Sequence, residues 1–303
     1  MATTVVMPPS NTISLAQKYL PILDEVYKRQ SLTSMFDTAN ANWVGANTVN
    51  LFSFTSNGMA NYDRDAGYVM GNVTGGWEDY TVSQDRARAF QVDFLDNEET
   101  LGQSVAAALS QVERVDVIPE IDAYRFAKWA STTGVGSATG TITVGTTNVA
   151  DLVSTAEASM DDAEVPYEGR VLFISPTAYQ CLKGNIERRI INSEDNVNMN
   201  VEYFDDMQVI RVPQGRFNTA ITLNAPTTAA GAGGYTATGD AINFMIVHPS
   251  AILQVMKHRN LRTFTPDQNI EADAYRINFR YAHDTWFLTR RSRASMSITH
   301  KVN

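Results

Sequence analysis

The sequence predicts an α+β protein, and three observations support this. A polar N-terminal segment with one helical pattern is followed by two extended runs that flank a long tip rich in Gly, Asn and Asp. Amphipathic helices come next, and from about residue 148 helices alternate with strands, as in a compact α/β unit. From about residue 242 the chain returns to extended structure.

The composition is that of a folded chain with a sizeable core. Of its 303 residues, 44% are hydrophobic and 19% are charged, which fits about two domains. No stretch approaches the ~20 apolar residues of a membrane-spanning helix, and the N-terminus lacks the pattern of a secretory signal. The one cysteine, Cys181, excludes a disulfide within the chain and is expected to be a buried filler. We therefore expect a soluble protein made and used in the cytoplasm.

The charge is negative overall and unevenly distributed. The net charge of -9 argues against broad nucleic-acid binding, because neutralising phosphates requires an excess of Lys and Arg. From Ala251 to the end, however, nine Lys or Arg stand against four Asp or Glu, a net charge of +5 that leaves -14 for the rest. This asymmetry indicates either complementary faces on neighbouring copies or simply solvated strands without a partner.

The N-terminal segment, to about Gly45, carries one helix pattern. Its apolar residues at helical spacing are Leu15, Tyr19, Ile22, Leu23, Val26 and Tyr27. Pro21 lies among them, so the helix is expected to start or kink there. The rest of the segment is polar, which predicts an arm with one apolar helix.

Two extended runs follow between Asn47 and Phe94. The first is Thr48 to Phe54, and the second runs from Tyr80 to Phe94 with Phe90, Val92 and Phe94 in alternation. Residues 57–77 form the long tip between them. Because an isolated two-stranded ribbon is marginal in water, this hairpin must rest on another domain or another subunit.

Two helices are predicted next. Asp96 and Glu99 begin the first with a pattern close to a capping box. Its apolar face is formed by Leu101, Val105, Ala108, Leu109 and Val112. This helix is expected to end before Pro119, which would open a second helix over residues 120–130, closed by Gly134.

The remaining elements are predicted from short periodic runs. The predictions are a flexible hairpin over 131–147 with a strand at 141–144, a helix over 148–163, a strand at 170–174, a helix from Ser175-Pro176 to about Gly184, a strand at 207–212, a loop at 227–239, and strands at 242–247, 251–256, 275–281 and 285–300.

Motifs of catalysis or cofactor binding are absent from the sequence. The four histidines, His248, His258, His283 and His300, show no zinc-hydrolase spacing. There is no G-x-S-x-G elbow and no Walker-type G-K-[ST]. The series at Asp267, Asn269, Glu271 and Asp273 is like the start of an EF-hand loop but lacks its glycine and closing glutamate. We expect no catalytic residue, no metal and no cofactor.

Carboxylates are the one remaining source of chemistry. The two clusters are Asp93, Asp96, Glu98 and Glu99, then Asp161, Asp162 and Glu164. A glycosidase-type hydrolase needs two carboxylates across a groove, which sequence spacing cannot establish. Acids at a helix start are explained by the helix dipole, so a hydrolase stays a minor alternative.

Several stretches, together with the order of elements, are typical of one family of proteins. The stretches are Arg88–Thr100 (RAFQVDFLDNEET), Val117–Phe126 (VIPEIDAYRF), His248–Ile252 (HPSAI), Lys257-His258 and Ala274–Trp286 (AYRINFRYAHDTW). They resemble the Hong Kong 97-type major capsid proteins of tailed bacteriophages. The resemblance spans roughly residues 15 to 300. Its motifs are signatures of a fold and not of an active site.

The resemblance implies a division of the chain into regions. Residues 1–46 would be an N-terminal arm, 47–94 an extended β-hairpin loop lying over a neighbouring subunit, and 148–245 an axial domain. Residues 95–147 and 246–303 would form a peripheral domain with a spine helix at about 97–117. Contacts between subunits are expected at Leu15, Tyr19, Leu23, Tyr27, Tyr62, Arg64, Tyr68, Trp77, Arg86 and Arg88.

The function implied is a coat subunit that self-assembles into hexamers and pentamers of an icosahedral shell. Such a shell would enclose DNA without sequence-specific binding, in a virion assembled in the host cytoplasm, with scaffolding, portal and decoration proteins as further partners. No lysine lies between Asn47 and Phe94, so the lysine–asparagine crosslink of the founding type is not expected. Another oligomeric phage structural protein, such as a decoration or tail protein, is the main alternative.

Overall fold

The computed structural model describes residues 31–38, 43–45, 47–95, 112–192, 198–226, 228, 231–288 and 296–302. The helices are α1 (Ile118–Ser131), α2 (Val149–Asp162) and α3 (Pro176–Leu182). The strands are β1 (Trp43–Val44), β2 (Thr48–Ser56), β3 (Val73–Thr81), β4 (Gln84–Asp93), β5 (Gly136–Thr139), β6 (Val171–Ile174), β7 (Glu187–Asn192), β8 (Asn198–Phe204), β9 (Met207–Arg211), β10 (Ile221–Leu223), β11 (Tyr235–Ala237), β12 (Ile242–Val247), β13 (Ile252–Phe264), β14 (Ala274–Phe287) and β15 (Ser297–Lys301). Short turns of other helix types lie at Ser34–Phe36, Val112–Val117 (π), Lys183–Asn185, Gln214–Arg216, Pro249–Ala251 and Pro266–Gln268.

A seven-stranded mixed sheet forms the centre, in the order β5-β15-β12-β6-β9-β8-β7. Its central strands are apolar on both faces, as expected of strands covered on both sides. In β6, Leu172 and Ile174 face α2 and α3, whereas Val171 and Phe173 face α1. The core is therefore divided into two apolar layers by the sheet.

A second sheet contains three long strands in the order β13-β14-β4. β13 and β14 form a hairpin whose register runs from Ile252↔Phe287 to Phe264↔Arg276, with a bulge between Met256 and His258. Phe279 and Tyr281 on β14 pack against Val117 and Ile121 at the start of α1. α1 thus contacts both sheets and joins them.

The third sheet is the hairpin of β2 and β3, extended at its base by β1. β2 and β3 pair antiparallel from Thr48↔Thr81 to Ser56↔Val73. Residues 57–72 connect them as a tip. We call β2, β3 and this tip the projecting hairpin.

The second extended run predicted from sequence consists of two strands in different sheets. Val73–Thr81 pairs with β2, whereas Gln84–Asp93 pairs with β14 along its whole length. The break falls at Val82 and Ser83, between the two strands. Side chains alternate between the two faces in the same way in both strands. The alternation therefore could not show that the second strand pairs in a different sheet.

The prediction of a flexible hairpin over 131–147 is wrong. Gly136–Thr139 forms β5, which runs parallel to β15, and residues 141–144 are not a strand. The edge of β15 offers backbone partners to Gly136–Thr139, so the strand forms there and not at the Thr-Ile-Thr-Val pattern of residues 141–144. Ile142 is instead buried in the layer beneath α2.

The C-terminal strands are longer than predicted. β13 continues past Met256 to Phe264, and β14 is one strand across the predicted break at residues 282–284. β15 begins only at Ser297. The hairpins β7–β8 and β10–β11 had no recognisable pattern in the sequence.

The helix predicted over 96–117 lies outside the described residues up to 111. Val112–Val117 is π-helical and leads directly into α1. Pro119 lies in the first turn of α1, as predicted, but the expected break between two helices before Pro119 is absent there, because the helical residues Val112–Val117 continue into α1. The helices predicted at 148–163 and from Pro176, and the strands at 170–174, 207–212 and 242–247, are confirmed within two residues.

Candidate functional site

One face of the projecting hairpin is apolar and exposed to solvent. Phe52 and Trp77 stand directly opposite each other in the register and meet with ring centroids 5.1 Å apart. Both side chains are more than half exposed, at 52% and 65%. Phe54 and Val73 continue the same face towards the tip and are likewise exposed. Large apolar surface of this kind marks a contact with a partner in most soluble proteins.

Gly75 leaves room for the ring of Phe52 in the aromatic pair. Gly75 faces Phe54, and a Cβ atom at Gly75 would lie 2.8 Å from Cζ of Phe52. A larger residue at 75 would displace the Phe52 ring. The local sequence therefore selects an arrangement in which the ring of Phe52 lies across the opposite strand.

The tip of the hairpin is ordered by a small turn with exposed aromatic side chains. Asp63 and Gly67 exchange backbone hydrogen bonds, and Gly67 has a φ of +82° that favours glycine. Backbone N–H groups of Asp65 and Ala66 donate to the Asp63 carboxylate and lower its pKa. The turn brings Tyr62 and Tyr68 together with centroids 5.0 Å apart.

Several further apolar side chains on the tip are exposed. Met59 and Met70 are almost fully exposed, and Val69 is about two thirds exposed, beside Tyr68 at 87% exposure. Nothing else in the described part of the chain covers them. We take the exposed side chains of the tip and the aromatic face of the strands together as the candidate contact surface.

The base of the projecting hairpin is packed into the body. Val49 of β2 and Val82 bury against Leu253 and Val255 of β13, and Tyr80 meets Trp286 at 5.5 Å. Backbone pairing continues at this end, because Val82 N donates to the carbonyl of Asn47. The hairpin is therefore anchored at one end and exposed at the other.

A buried carboxylate also holds this base, and we call its contacts the Asp284 cluster. Asp284 is fully buried and accepts hydrogen bonds from the backbone N–H and the hydroxyl of Ser83, at 2.9 and 2.8 Å. Tyr124 OH and Lys128 Nζ of α1 donate to the same carboxylate, as does the N–H of Thr285. Lys128 also lies over the Trp286 ring.

Burial raises the pKa of Asp284, but the Lys128 ammonium and the N–H donors outweigh it and hold the pKa below its ordinary value. The carboxylate is therefore charged at neutral pH. It joins the hairpin base, α1 and β14 at one point.

Arg86 and Arg88 of β4 have partners within the chain. Arg86 donates to both carboxylate oxygens of Glu120, at 2.7 and 3.1 Å, and to the carbonyls of Asn224 and Gly234. The hydrogen bond from Arg86 to Glu120 raises the pKa of the guanidinium. Arg88 donates to the carbonyl of Gly231. The structure thus gives both arginines an intrachain role that the sequence did not predict.

Residues 31–38, which we call the N-terminal strap, are held against α1 by buried polar groups. Asp122 is fully buried and accepts from Ser31, Thr33 and the backbone N–H of Leu32. Arg216 pairs with the same carboxylate at 3.0 Å.

The other end of the strap is held by Arg125 and Gln254, which both donate to Asp37. Phe36 enters the core between Trp129 and Phe173. These contacts fix the position of the N-terminal strap on the body of the chain.

His283 is buried between Tyr281 and Tyr124. Desolvation, reinforced by the nearby positive charge of Arg125, lowers the pKa of His283 to about 3. The imidazole is therefore neutral at neutral pH.

Of the carboxylates considered for hydrolysis, Asp93 and Asp161 contact other groups in the described residues. Asp93 accepts from the N–H of Leu95 at the end of β4, and residues 96–99 lie outside the described part. Asp161 forms an ion pair with the buried Arg170 at 2.6 Å. Glu157 lies beside them, and desolvation together with the charge of Asp205 raises its pKa to about 7.

No group of three or more potential metal ligands was found among the residues that the structure describes. In the series that resembles an EF-hand, Glu271 pairs with Arg276 and the Asn269 amide donates to the carbonyl of Ala274. Within the same residues, no helix has both the length and the apolarity that crossing a bilayer requires.

The predicted contact residues fall into three groups. Tyr62, Arg64, Tyr68 and Trp77 lie exposed on the projecting hairpin. Arg86 and Arg88 lie at its foot with intrachain partners. Leu15, Tyr19, Leu23 and Tyr27 lie outside the described residues.

Sequence reasoning missed Phe52, Phe54, Met59, Val69, Met70 and Val73 on the same surface. A signal was present, because Phe52 and Phe54 have the two-residue spacing of one strand face. The same spacing is typical of a buried face, so exposure could not be read from it.

Comparison with known proteins gives matches in structure alone. No protein-family profile and no curated protein matches the sequence. A structure from Mycobacterium phage Che8 is 14% identical, with a TM-score of 0.57 over 96% of this chain and 98% of that chain. The capsid structure of the Cyanophage P-SCSP1u is 12% identical, with a TM-score of 0.60 over 96% and 93%. The asymmetric unit of the bacteriophage PhiM1 mature capsid is 11% identical, with a TM-score of 0.58 over 95% and 92%.

These matches cover nearly the whole of both chains in each pair. The chain therefore has the α+β fold of phage capsid proteins, the Hong Kong 97-type fold that the sequence resemblance implied. Identities of 11 to 14% establish the fold and leave the function to be argued from this chain's own residues.

Proposed function

We propose that this chain is the major capsid protein of a tailed bacteriophage, which self-assembles into an icosahedral shell around DNA. The observation that carries the proposal is the exposed apolar face of the projecting hairpin, on a chain with a capsid fold. The function is association of copies and not catalysis.

The apolar face supports association because its exposure costs free energy in a single copy. Burying apolar area contributes about 25 cal/mol per Å², so covering Phe52, Trp77 and the tip would be favourable for each contact. Many modest contacts of this kind close into a shell when they repeat by symmetry.

In the proposed arrangement, residues 1–46 form the N-terminal arm and the projecting hairpin lies over a neighbouring copy. Residues 148–245 form the axial domain, and 95–147 with 246–303 the peripheral domain. We place the boundary of the extended loop near Ser83, because β4 pairs with β14 over its whole length. The proposed units are hexamers and pentamers.

The net charge of the chain bears on its proposed partners. A net charge of -9 suits a shell that encloses DNA without sequence-specific binding. Scaffolding, portal and decoration proteins are further proposed partners, and the proposed location is the virion, with assembly in the host cytoplasm. Covalent crosslinks through a hairpin lysine are not part of the proposal, since residues 47–94 contain no lysine.

The test compares two double variants on opposite faces of the same hairpin. Phe52→Thr with Trp77→Thr removes the aromatic pair and keeps strand propensity. Thr55→Ser with Thr74→Ser changes the facing pair on the other side, at a similar height. Size-exclusion chromatography and negative-stain microscopy would follow assembly of each purified protein.

We expect closed shells, or pentamers and hexamers, from the unaltered protein and from the Thr55/Thr74 variant. The Phe52/Trp77 variant should remain folded and unassembled. A strictly monomeric unaltered protein at high concentration would contradict the proposal. Rings or tubes without closed shells would favour another oligomeric phage structural protein.

A further inference from the structure

We infer that Asp284 is the positioning residue of the projecting hairpin. By holding Ser83, it sets the direction in which the hairpin leaves the body, and so which part of a second copy the apolar face can reach. This inference rests on the proposed function for its consequence in assembly, but its geometric part concerns a single copy.

The first step is the short connection between two sheets. β3 ends at Thr81 and β4 begins at Gln84, so only Val82 and Ser83 lie between a strand of the hairpin and a strand of the body. Both are held. Val82 is buried with its N–H bonded to Asn47, and both donors of Ser83 bond to Asp284.

The second step is what the other side of Asp284 touches. Tyr124 and Lys128 lie one helical turn apart on α1 and both donate to the carboxylate. α1 is itself fixed between the two large sheets by Phe126 and Trp129. The Asp284 cluster therefore ties Ser83 to the most deeply buried helix of the body.

The third step concerns the other contacts at the hairpin base. Beyond Tyr80 and Val49 the hairpin side chains are exposed or partly exposed. The base is held by apolar contacts and by Lys257 of β13, which donates to the side-chain oxygen of Asn47 at 3.3 Å and lies over the Trp43 ring. Apolar contacts are non-directional, whereas two hydrogen bonds from one residue fix an orientation. A small angular change at Ser83 would move the distant tip by several times more than the base.

The experiment measures hairpin direction and assembly separately. Spin labels would be placed on Met59→Cys at the tip and Ser154→Cys on the exposed side of α2, in a Cys181→Ser background. The distance distribution would be recorded on dilute, unassembled protein. The critical concentration for shell formation would be measured without labels.

Four variants separate positioning from general stability. Ser83→Ala removes one donor from an exposed residue, and Ser83→Thr restores the hydroxyl. Asp284→Asn removes the charge of the cluster. Asp122→Asn removes an equally buried charge whose partners are in the N-terminal strap and Arg216, away from the hairpin base.

We expect Ser83→Ala and Asp284→Asn to broaden the distance distribution and to raise the critical concentration about tenfold. Ser83→Thr should match the unaltered protein, and Asp122→Asn should keep the narrow distribution although it unfolds more easily. If Asp284→Asn does not fold, the comparison of Ser83→Ala with Ser83→Thr decides whether the positioning role holds.

Unchanged distances in Ser83→Ala, or equal broadening in Asp122→Asn, would overturn the positioning role. Broadened distances with an unchanged critical concentration would overturn its link to assembly. If the unaltered protein never assembles while the distances behave as expected, the proposed function fails and the positioning of the hairpin stands.

Discussion

At the scale of single residues, three buried carboxylates in the described part of the chain lie where separate segments meet. Asp122 joins the N-terminal strap to Arg216, Glu120 joins Arg86 to Tyr281, and Asp284 joins Ser83 to α1. Each has several donors, which offsets the cost of desolvating a carboxylate. Removing one of these carboxylates takes the acceptor away from at least one buried donor, which is Arg216 for Asp122, Tyr281 for Glu120 and the N–H of Thr285 for Asp284.

Asp122→Ala should therefore lower the free energy of unfolding by about 3 to 5 kcal/mol, because Arg216 would remain buried without its carboxylate. The measurement is urea unfolding followed by circular dichroism. Asp85→Ala is the matched control, since Asp85 pairs with Arg280 in solvent and removing such an exposed pair should change the stability much less. Equal losses in both variants would contradict the account.

His283 should make stability depend on pH. Its pKa is about 3 in the folded chain and about 6.5 in the unfolded chain. Between these values the unfolded chain binds more protons than the folded chain. The contribution of the neutral His283 to the free energy of unfolding is therefore fully present above pH about 6.5 and is lost as the pH is lowered towards 3. His300, whose pKa is also lowered by burial, acts in the same direction.

His283→Phe keeps a ring between Tyr281 and Tyr124 and removes the titration. We expect the slope of unfolding free energy between pH 6.5 and 4 to decrease by up to about 1.4 kcal/mol per pH unit. Urea unfolding across this pH range measures it. An unchanged slope would show that His283 is not the titrating group.

At the scale of elements, two antiparallel hairpins with long strands have different surroundings. β13–β14 is paired with β4 and packed against α1, so Phe279 and Tyr281 near the centre of β14 are buried. Among the strands that the structure describes, the projecting hairpin pairs only with the two residues of β1, and it exposes its aromatic face. Local stability follows buried contacts, so the two hairpins should open with different free energies.

Hydrogen exchange on the unassembled chain should show this difference. We expect the amides of residues 51–56 and 73–78 to exchange faster than those of residues 277–286, because the first set lacks packing on both faces. Peptide-resolved mass spectrometry measures both in one experiment. The amides of residues 171–174 in the central sheet provide the slow reference, and equal protection of the two hairpins would contradict the prediction.

At the scale of the whole molecule, association is expected to combine apolar contact with charge. The chain carries -9 overall, with +5 from Ala251 onwards. Opposite charges between copies accelerate encounter more than they strengthen the final contact. Apolar burial at the projecting hairpin would supply most of the favourable free energy.

Raising the salt concentration should therefore slow assembly without preventing it. Between about 0.05 and 0.5 M NaCl the screening length shortens several-fold, so the initial rate of light scattering should fall while the final yield of shells changes little. Loss of the shells at high salt would indicate that ion pairs hold the copies together. Unchanged rates would indicate that the basic section faces solvent.

Much of the secondary structure was already determined by local sequence. The buried strand at 171–174, the helix that opens with Ser175-Pro176 and the start of α1 at Pro119 follow from apolar runs and capping chemistry, which act within a few residues. The presence of a long hairpin with an aromatic tip was likewise predictable from residues 47–94.

Tertiary structure alone decided which strands pair and which apolar faces stay uncovered. Residues 73–81 and 84–93 have the same alternation, yet one joins β2 and the other β14. The Asp284 cluster brings together Ser83, α1 and β14 over distances of up to 201 residues along the chain. Sequence periodicity encodes only which side chains share a face. Whether that face is buried depends on contacts between distant segments, and these exist only once the chain has folded.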